Sequence, residues 1–155
     1  MGHWRREPET EATHVDIRRA ALNLLARREH SRQELRHKLQ QRFAVEITLI
    51  ENEIALLSKQ GLQSDARLAE VFLRSRAGRG QGPLKIRAEL KNKGVDNTTI
   101  EKVFTDFDMD WIAGIKTVVQ KQFGNTPPAN AKERARRIRF LQQRGFSFEQ
   151  INSLY

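Results

Sequence analysis

Lysine and arginine are gathered in two stretches of this chain, and their side chains are the ones best placed for chemistry. Residues 74–93 hold seven cations against one acid, and residues 132–144 hold six against one. Clustered cations bind phosphates or carboxylates through charge-assisted hydrogen bonds. We therefore expect contacts with a polyanion or an acidic protein surface from Arg74, Arg76, Arg79, Lys85, Arg87, Lys91, Lys93, Lys132, Arg134, Arg136, Arg139 and Arg144.

The spacing of these cations places them on helix faces. Lys132, Arg136 and Arg139 share one face of a predicted helix, opposite the apolar Leu141. Acids are segregated elsewhere, with five of them and a single lysine in residues 96–110. A charged face that only meets water is the alternative interpretation. Recurrence of the basic face in two parts of the chain favours binding.

A second basic face is predicted in residues 83–93. There Arg87 and Lys91 lie beside the apolar Ile86 and Leu90, and we expect both cations to point away from the core. Reversal of their charge is accordingly expected to spare the fold.

Other kinds of site are not supported. The chain has no cysteine, which excludes disulfides and thiol chemistry. Its four histidines lack metal-ligand spacing and are expected on the surface. The run GRGQG at residues 78–82 follows a helix rather than a strand, so we interpret it as a loop that leaves Arg79 free to touch a polyanion. The sequence predicts no catalytic residue, no cofactor and no metal.

A repeat must position these cations. Leu39, Leu90 and Leu141 stand 51 residues apart (90 − 39 and 141 − 90), each in a similar polar context. Fixed self-similarity indicates small units that bury their apolar faces on one another. The sequence predicts an all-α fold with three tandem three-helix repeats in an elongated, curved array. The expected boundaries are a flexible tail over residues 1–14, then repeats over 15–62, 63–108 and 109–155.

Local signals place the helix ends. Ser31 and Glu34 form a predicted capping box, and Ser147 with Gln150 forms another. Pro83 suits the first turn of a helix. Trp111 opens a helix expected to run to Phe123, and both aromatic side chains are interpreted as core rather than as platforms for bases.

Composition agrees with a basic helical protein. The 155 residues carry a net charge of +9, and no apolar run approaches the roughly 20 residues needed to span a bilayer. The first residues lack the apolar core of a signal peptide. We expect a cytoplasmic protein.

At the centre of the chain the sequence resembles the RecX family of bacterial recombinase regulators. The likeness rests on GLQSDAR (residues 61–67), RSR (74–76) and GQGPLKIRAELKNKGV (80–95), with flanks at 21–31 and 139–146. It covers everything except the tail. Arg137 departs from the pattern, because it fills the slot that apolar Leu35 and Ile86 occupy in the other repeats.

The resemblance implies a non-enzymatic, monomeric modulator that binds the helical RecA–DNA filament along its groove. It implies limits on filament growth and suppression of strand exchange, ATP hydrolysis and the co-protease activity of RecA toward LexA, in DNA repair and the SOS response. The partner is then the RecA nucleoprotein filament, with weak nonspecific single- or double-stranded DNA binding alongside.

The residues by themselves are also consistent with a different class of function. Tri-helical units with basic second helices resemble helix-turn-helix modules, which indicates a nonspecific DNA-binding protein as the alternative. The side chains expected of a sequence-specific reader, placed for base edges on one recognition helix, are not evident.

Overall fold

The structure, a computed structural model, describes residues 12–155, which form nine helices and no strand. This confirms the predicted all-α class. The chain divides into two compact units after Asp65. The predicted tail lies outside the described residues as far as residue 11, as does Trp4, and the predicted repeat boundaries stay a prediction.

The first unit contains three helices, α1 (His14–Arg27), α2 (Arg32–Arg42) and α3 (Ile47–Lys59). Helix α2 begins at the predicted capping box: the Glu34 amide donates to the Ser31 hydroxyl at 3.0 Å, and the Ser31 amide donates to the Glu34 carboxylate at 3.1 Å. The apolar faces of the three helices meet in one core formed by Ile17, Ala20, Ala21, Leu35, Leu39, Ile50, Ile54 and Leu57.

The burial of His30 contradicts the expectation that the histidines lie on the surface. Its side chain is buried at 1% exposure, whereas His14 and His37 are exposed and His3 lies outside the described residues. The Nδ1 atom lies 2.9 Å from the Arg28 carbonyl, and Nε2 lies 3.1 Å from the Lys38 ammonium. A neutral imidazole satisfies both neighbours, because Nδ1–H donates to the carbonyl while Nε2 accepts from the ammonium.

The burial of His30 predicts a loss of stability in mild acid. Burial, followed by the charges of Arg28 and Lys38, lowers the pKa of His30 from its ordinary value of 6.5. As the pH falls through 6.5, His30 becomes protonated in the unfolded chain but stays neutral in the folded chain. The free energy of unfolding should then fall, by up to ~1.4 kcal/mol per pH unit for one proton.

Urea unfolding at a series of pH values between neutral and mildly acidic checks this expectation. His30→Gln should flatten the dependence on pH relative to the unaltered protein. His37→Gln, at an exposed site, should keep it. Equal slopes in all three proteins would contradict the assignment to His30.

The second unit contains six helices, which we treat as a second repeat, α4–α6, and a third repeat, α7–α9. Their bounds are α4 (Asp65–Gly78), α5 (Pro83–Asn92), α6 (Asn97–Asp106), α7 (Trp111–Phe123), α8 (Ala131–Gln143) and α9 (Phe148–Asn152). Pro83 stands in the first turn of α5, and α7 has the predicted span. Asp96 caps α6 by accepting from the Thr99 amide at 2.8 Å, and the predicted Ser147–Gln150 capping box begins α9.

Each of these two repeats has its own core. The core of the second repeat includes Leu73, Ile86, Leu90 and Ile100, and that of the third includes Ile115, Leu141 and Ile151. Trp111 packs against both cores and lies 6.0 Å, centroid to centroid, from the Phe104 ring. This confirms the prediction that Trp111 is a core residue, and it shows how the two repeats share one aromatic side chain.

The glycine loop between α4 and α5 packs directly on the third repeat. The Gly82 amide donates to the Arg144 carbonyl at 2.7 Å, and the Leu84 amide donates to the Gly145 carbonyl at 3.0 Å. A Cβ atom at Gly82 would overlap the backbone of Gly145 and Phe146. Gly145 has φ = +97°, and a Cβ there would overlap Lys85. Two glycines thus allow the backbones of two repeats to touch.

Arg137 occupies the buried position that its place in the repeat predicts. Ile86 and Leu35, one and two periods earlier, are fully buried, and Arg137 is 3% exposed. Its guanidinium donates to the Thr126 carbonyl at 2.9 Å and to the Glu133 carboxylate at 2.9 Å, and lies 4.8 Å from the centre of the Phe123 ring. The charge is tolerated because it is paired and hydrogen-bonded.

Candidate polyanion-binding faces

Helix α8 carries a row of exposed cations. Lys132, Arg136 and Arg139 are exposed, while Leu141 on the opposite side is fully buried. Within the described residues, none of these three side chains makes a hydrogen bond or an ion pair. We call this set the α8 basic face. Its geometry confirms the predicted sidedness of the helix and leaves three charges available to an external anion.

Helix α5 presents fewer free cations than its sequence predicts. Lys85 and Lys91 are exposed, but Arg87 lies against its neighbour helix. The Arg87 guanidinium is 3.2 Å from the Glu101 carboxylate and 4.2 Å from the centre of the Phe104 ring. Reversing the charge of Arg87 would therefore replace an ion pair with repulsion between α5 and α6, so this change is expected to destabilise the fold, contrary to the prediction from the sequence.

Several of the remaining predicted cations lie over aromatic rings of their own repeat. Arg76 and Lys93 both approach the Phe72 ring, at 4.9 and 5.3 Å from its centre. Arg74 lies 4.5 Å from the centre of the Phe107 ring, and its guanidinium also pairs with a glutamate of α4. Each contact stabilises by about 0.5–1 kcal/mol at a solvent-exposed site. These cations therefore stabilise the fold of their own repeat in addition to contributing positive charge to its surface.

Three of the acids near α6 cap helices or form an ion pair, which explains why they cluster in this stretch apart from the basic stretches. Asp96 caps α6, and its pKa is lowered by the hydrogen bonds from Thr99. Asp110 caps α7 by accepting from the Ala113 amide at 3.0 Å, and Glu101 pairs with Arg87. Three of the five acids in this stretch are thus used within the second unit.

A cleft between α4, α7 and α8 brings together cations from three elements. Arg79 comes from the glycine loop, Lys121 from α7 and Arg144 from the end of α8. We call it the basic cleft; its volume is about 360 Å³. Its described lining consists of Ala77, Gly78, Arg79, Gly80, Gly114, Thr117, Val118, Lys121, Gln122, Phe140 and Arg144.

Sequence reasoning missed Lys121 and the cleft itself. The sequence predicts α7 as the opening helix of the third repeat, and Lys121 is an isolated cation in its last turn. Only the packing of α4 and α8 on α7 brings it near Arg79 and Arg144. The available signal was the basic residue on an amphipathic helix, which by itself does not distinguish this lysine from Lys116.

The described part of the chain lacks the features of two further kinds of site. Among residues 12–155 there is no helix with the length and apolar character that a membrane span requires. Over the same residues, no three histidine, cysteine or acidic side chains lie together in a group that could hold a metal ion.

The chain is similar along most of its length to known regulatory proteins. Its sequence matches the family models of the first, second and third three-helix domains of RecX over residues 18–48, 64–103 and 110–154, respectively. Regulatory protein RecX of Halorhodospira halophila is 41% identical over 145 residues, which span 94% of this chain and 89% of the relative. Regulatory protein RecX of Pseudomonas entomophila is 44% identical over 142 residues, spanning 92% and 91%.

Solved structures show the same fold. RecX from Lactobacillus salivarius superposes with a TM-score of 0.74 at 22% identity, covering 90% of this chain and 92% of that one. A second crystal structure of regulatory protein RecX gives a TM-score of 0.74 at 20% identity, covering 90% of this chain and 71% of the other.

Proposed function

Because this chain belongs to the RecX family, we propose that it is a non-enzymatic regulator that binds the RecA–DNA filament and restrains it. The filament presents DNA phosphates and protein carboxylates to a ligand that lies along it, and both attract cations. We expect the protein to act as a monomer in the cytoplasm, where such filaments assemble on DNA.

The observation that best supports this proposal is the row of unpaired cations on α8. The α8 basic face has three exposed charges with no hydrogen bond or ion pair among the described residues, and Lys85 and Lys91 add two on α5. A surface of one sign raises the association rate with an oppositely charged partner and weakens with salt. The acid of α8 itself, Glu133, is used in the pair with Arg137 and accepts from the Ala129 amide. Near α5, Glu101 is used in the pair with Arg87.

Binding along the filament accounts for the expected effects on RecA. A protein that bridges neighbouring subunits or covers an end obstructs the addition of further subunits. Occupation of the groove also excludes a second DNA strand and the repressor LexA from the same surface. Reduced filament growth, strand exchange, ATP hydrolysis and co-protease activity then follow from one binding event.

A nonspecific DNA-binding protein is the second candidate, and one observation favours it. Helices α5 and α8 are the second helices of their three-helix units and carry the exposed cations, as in helix-turn-helix modules that lie on a phosphate backbone. Such binding should weaken steeply with salt, with log K falling by about 0.9 per phosphate contact for each log unit. The two candidates differ in whether RecA is needed.

The test is ATP hydrolysis by RecA on single-stranded DNA, titrated with this protein. We expect hydrolysis to fall at less than one molecule per RecA subunit, because a bound regulator affects more than one neighbour. DNA should be saturating, so that simple competition for DNA has little effect. Unchanged hydrolysis across the titration, with the protein folded and binding DNA, would reject the filament regulator in favour of the DNA-binding alternative.

A further inference from the structure

The basic cleft gathers positive charge without any internal neutralisation. Arg79, Lys121 and Arg144 all line it, and none of its described lining residues is acidic. Within residues 12–155, the side chains of these three cations make no hydrogen bond and no ion pair. Like charges that converge on a concave surface repel one another, and the surrounding protein focuses their field. An anion held among them relieves that repulsion.

The walls of the cleft point to a ligand with both an anionic and an apolar part. Val118, Ala77 and Phe140 supply apolar surface, and Thr117 and Gln122 supply polar groups. The Arg144 guanidinium lies 5.2 Å from the centre of the Phe140 ring, so an aromatic ring supports the cation. Nucleic-acid bases stack on aromatic rings and on arginine guanidinium planes in proteins that bind single strands.

Glycines keep one side of the cleft open to a close approach. Gly78 and Gly114 both line it, and a Cβ atom at either position would meet no heavy atom within 4 Å. A backbone without side chains lets a sugar-phosphate chain come near. The volume of about 360 Å³ lies at the small end of the range for ligand sites, which suits one nucleotide rather than a duplex.

We propose that the basic cleft binds one nucleotide of single-stranded nucleic acid, with its phosphate held by Arg79, Lys121 and Arg144 and its base placed against the Phe140 wall. A duplex is excluded from this mode because its bases are stacked inside the helix. The proposal deepens the proposed function and rests on it for its setting, since a recombinase filament is built on a single strand. The site itself requires no recombinase.

The experiment measures binding of a short fluorescent oligothymidine to the protein alone by anisotropy. Lys121→Glu should weaken binding by about tenfold, the scale of one charge-assisted contact turned into repulsion. Lys116→Glu is the matched control: it lies on the same helix, is exposed and changes the net charge equally, but lies outside the lining of the cleft. It should weaken binding by less than about threefold. Equal losses in the two variants overturn the cleft.

Amide chemical shifts locate the ligand independently of affinity. The oligothymidine should shift the amides of Gly78, Gly80 and Gly114, and Lys121→Glu should abolish those shifts while the remaining spectrum shows a folded protein. Shifts that appear with an acidic peptide but not with the oligonucleotide overturn the nucleotide assignment. Duplex DNA that binds as tightly as the single strand, with the same dependence on Lys121, also overturns it.

The same variant separates this proposal from the proposed function. Normal inhibition of RecA together with oligonucleotide binding that does not depend on Lys121 overturns the cleft alone. Oligonucleotide binding that depends on Lys121, together with no effect on RecA at any concentration, supports the cleft and overturns the regulator.

Discussion

Alanine at Gly145 is expected to lower the free energy of unfolding of the second unit by about 2–5 kcal/mol, and alanine at Gly82 is expected to lower it by about 1–3 kcal/mol. Gly145 has φ = +97°, where an L side chain adds roughly 1–2 kcal/mol of strain. Its new Cβ would also overlap Lys85, whose backbone nitrogen lies 2.7 Å from the Cβ position. Overpacking of this kind typically costs a further 1–3 kcal/mol or so. Gly82 has an ordinary φ, so its variant tests the overlap without the strain.

Chemical unfolding followed by helical circular dichroism measures both variants. Gly78→Ala is the matched control from the same glycine run, because a Cβ there meets nothing within 4 Å. It should stay within about 1 kcal/mol of the unaltered protein. If Gly82→Ala and Gly145→Ala unfold at the same denaturant concentration as that control, the two backbones do not pack as closely as described.

Reversing the α8 basic face is expected to abolish most of the regulation while leaving the protein folded. The variant combines Lys132→Glu, Arg136→Glu and Arg139→Glu. Each change replaces attraction to phosphate or carboxylate with repulsion, and the concentration needed for half-inhibition of RecA ATP hydrolysis should rise by at least about tenfold. All three side chains are exposed, so each change should alter stability by less than about 0.5 kcal/mol.

The matched control reverses three exposed lysines outside the predicted faces. Lys59→Glu, Lys102→Glu and Lys116→Glu together change the net charge by the same amount. They should reduce inhibition only slightly, through the long-range field. Helicity and thermal unfolding are measured on both triple variants. A folded α8 variant that inhibits as well as the unaltered protein would show that this face meets only water, and the acidic surface of α6 would become the candidate partner surface.

The features that could be predicted from the sequence depend either on residues within one helical turn or on a pattern that recurs along the chain. A capping box is a local exchange of hydrogen bonds, so Ser31 with Glu34 and Ser147 with Gln150 identified two helix starts. The 51-residue period likewise identified Leu39, Leu90 and Leu141 as core positions, and it aligned Arg137 with the slot of Leu35 and Ile86, which is buried in all three repeats. These signals act within a turn of helix or recur along the chain, and no knowledge of the packing is needed to see them.

The features that were missed depend on residues far apart in the sequence. His30 is buried, and its backbone carbonyl accepts from the side chain of Gln63, which lies 33 residues further along the chain, at 3.1 Å. Lys121 joins a cleft only through Arg79 and Arg144. The sequence predicts that Arg87 points away from the core but does not reveal its ion-pair partner, because that partner, Glu101, belongs to another helix. A helical wheel shows which way a side chain points, but it does not show which element stands there.

The contact of Gly82 with the third repeat has a consequence for how the second unit opens. Most contacts within a three-helix repeat are local, whereas Gly82 and Gly145 are 63 residues apart (145 − 82). The amide hydrogens of Gly82 and Leu84 are held by carbonyls of the other repeat, at 2.7 and 3.0 Å. They can exchange with solvent deuterium only when the two repeats part, even if each repeat keeps its own helices. Nearest-neighbour coupling of this kind makes adjacent repeats unfold cooperatively, and the exchange rate at these two amides measures its strength directly.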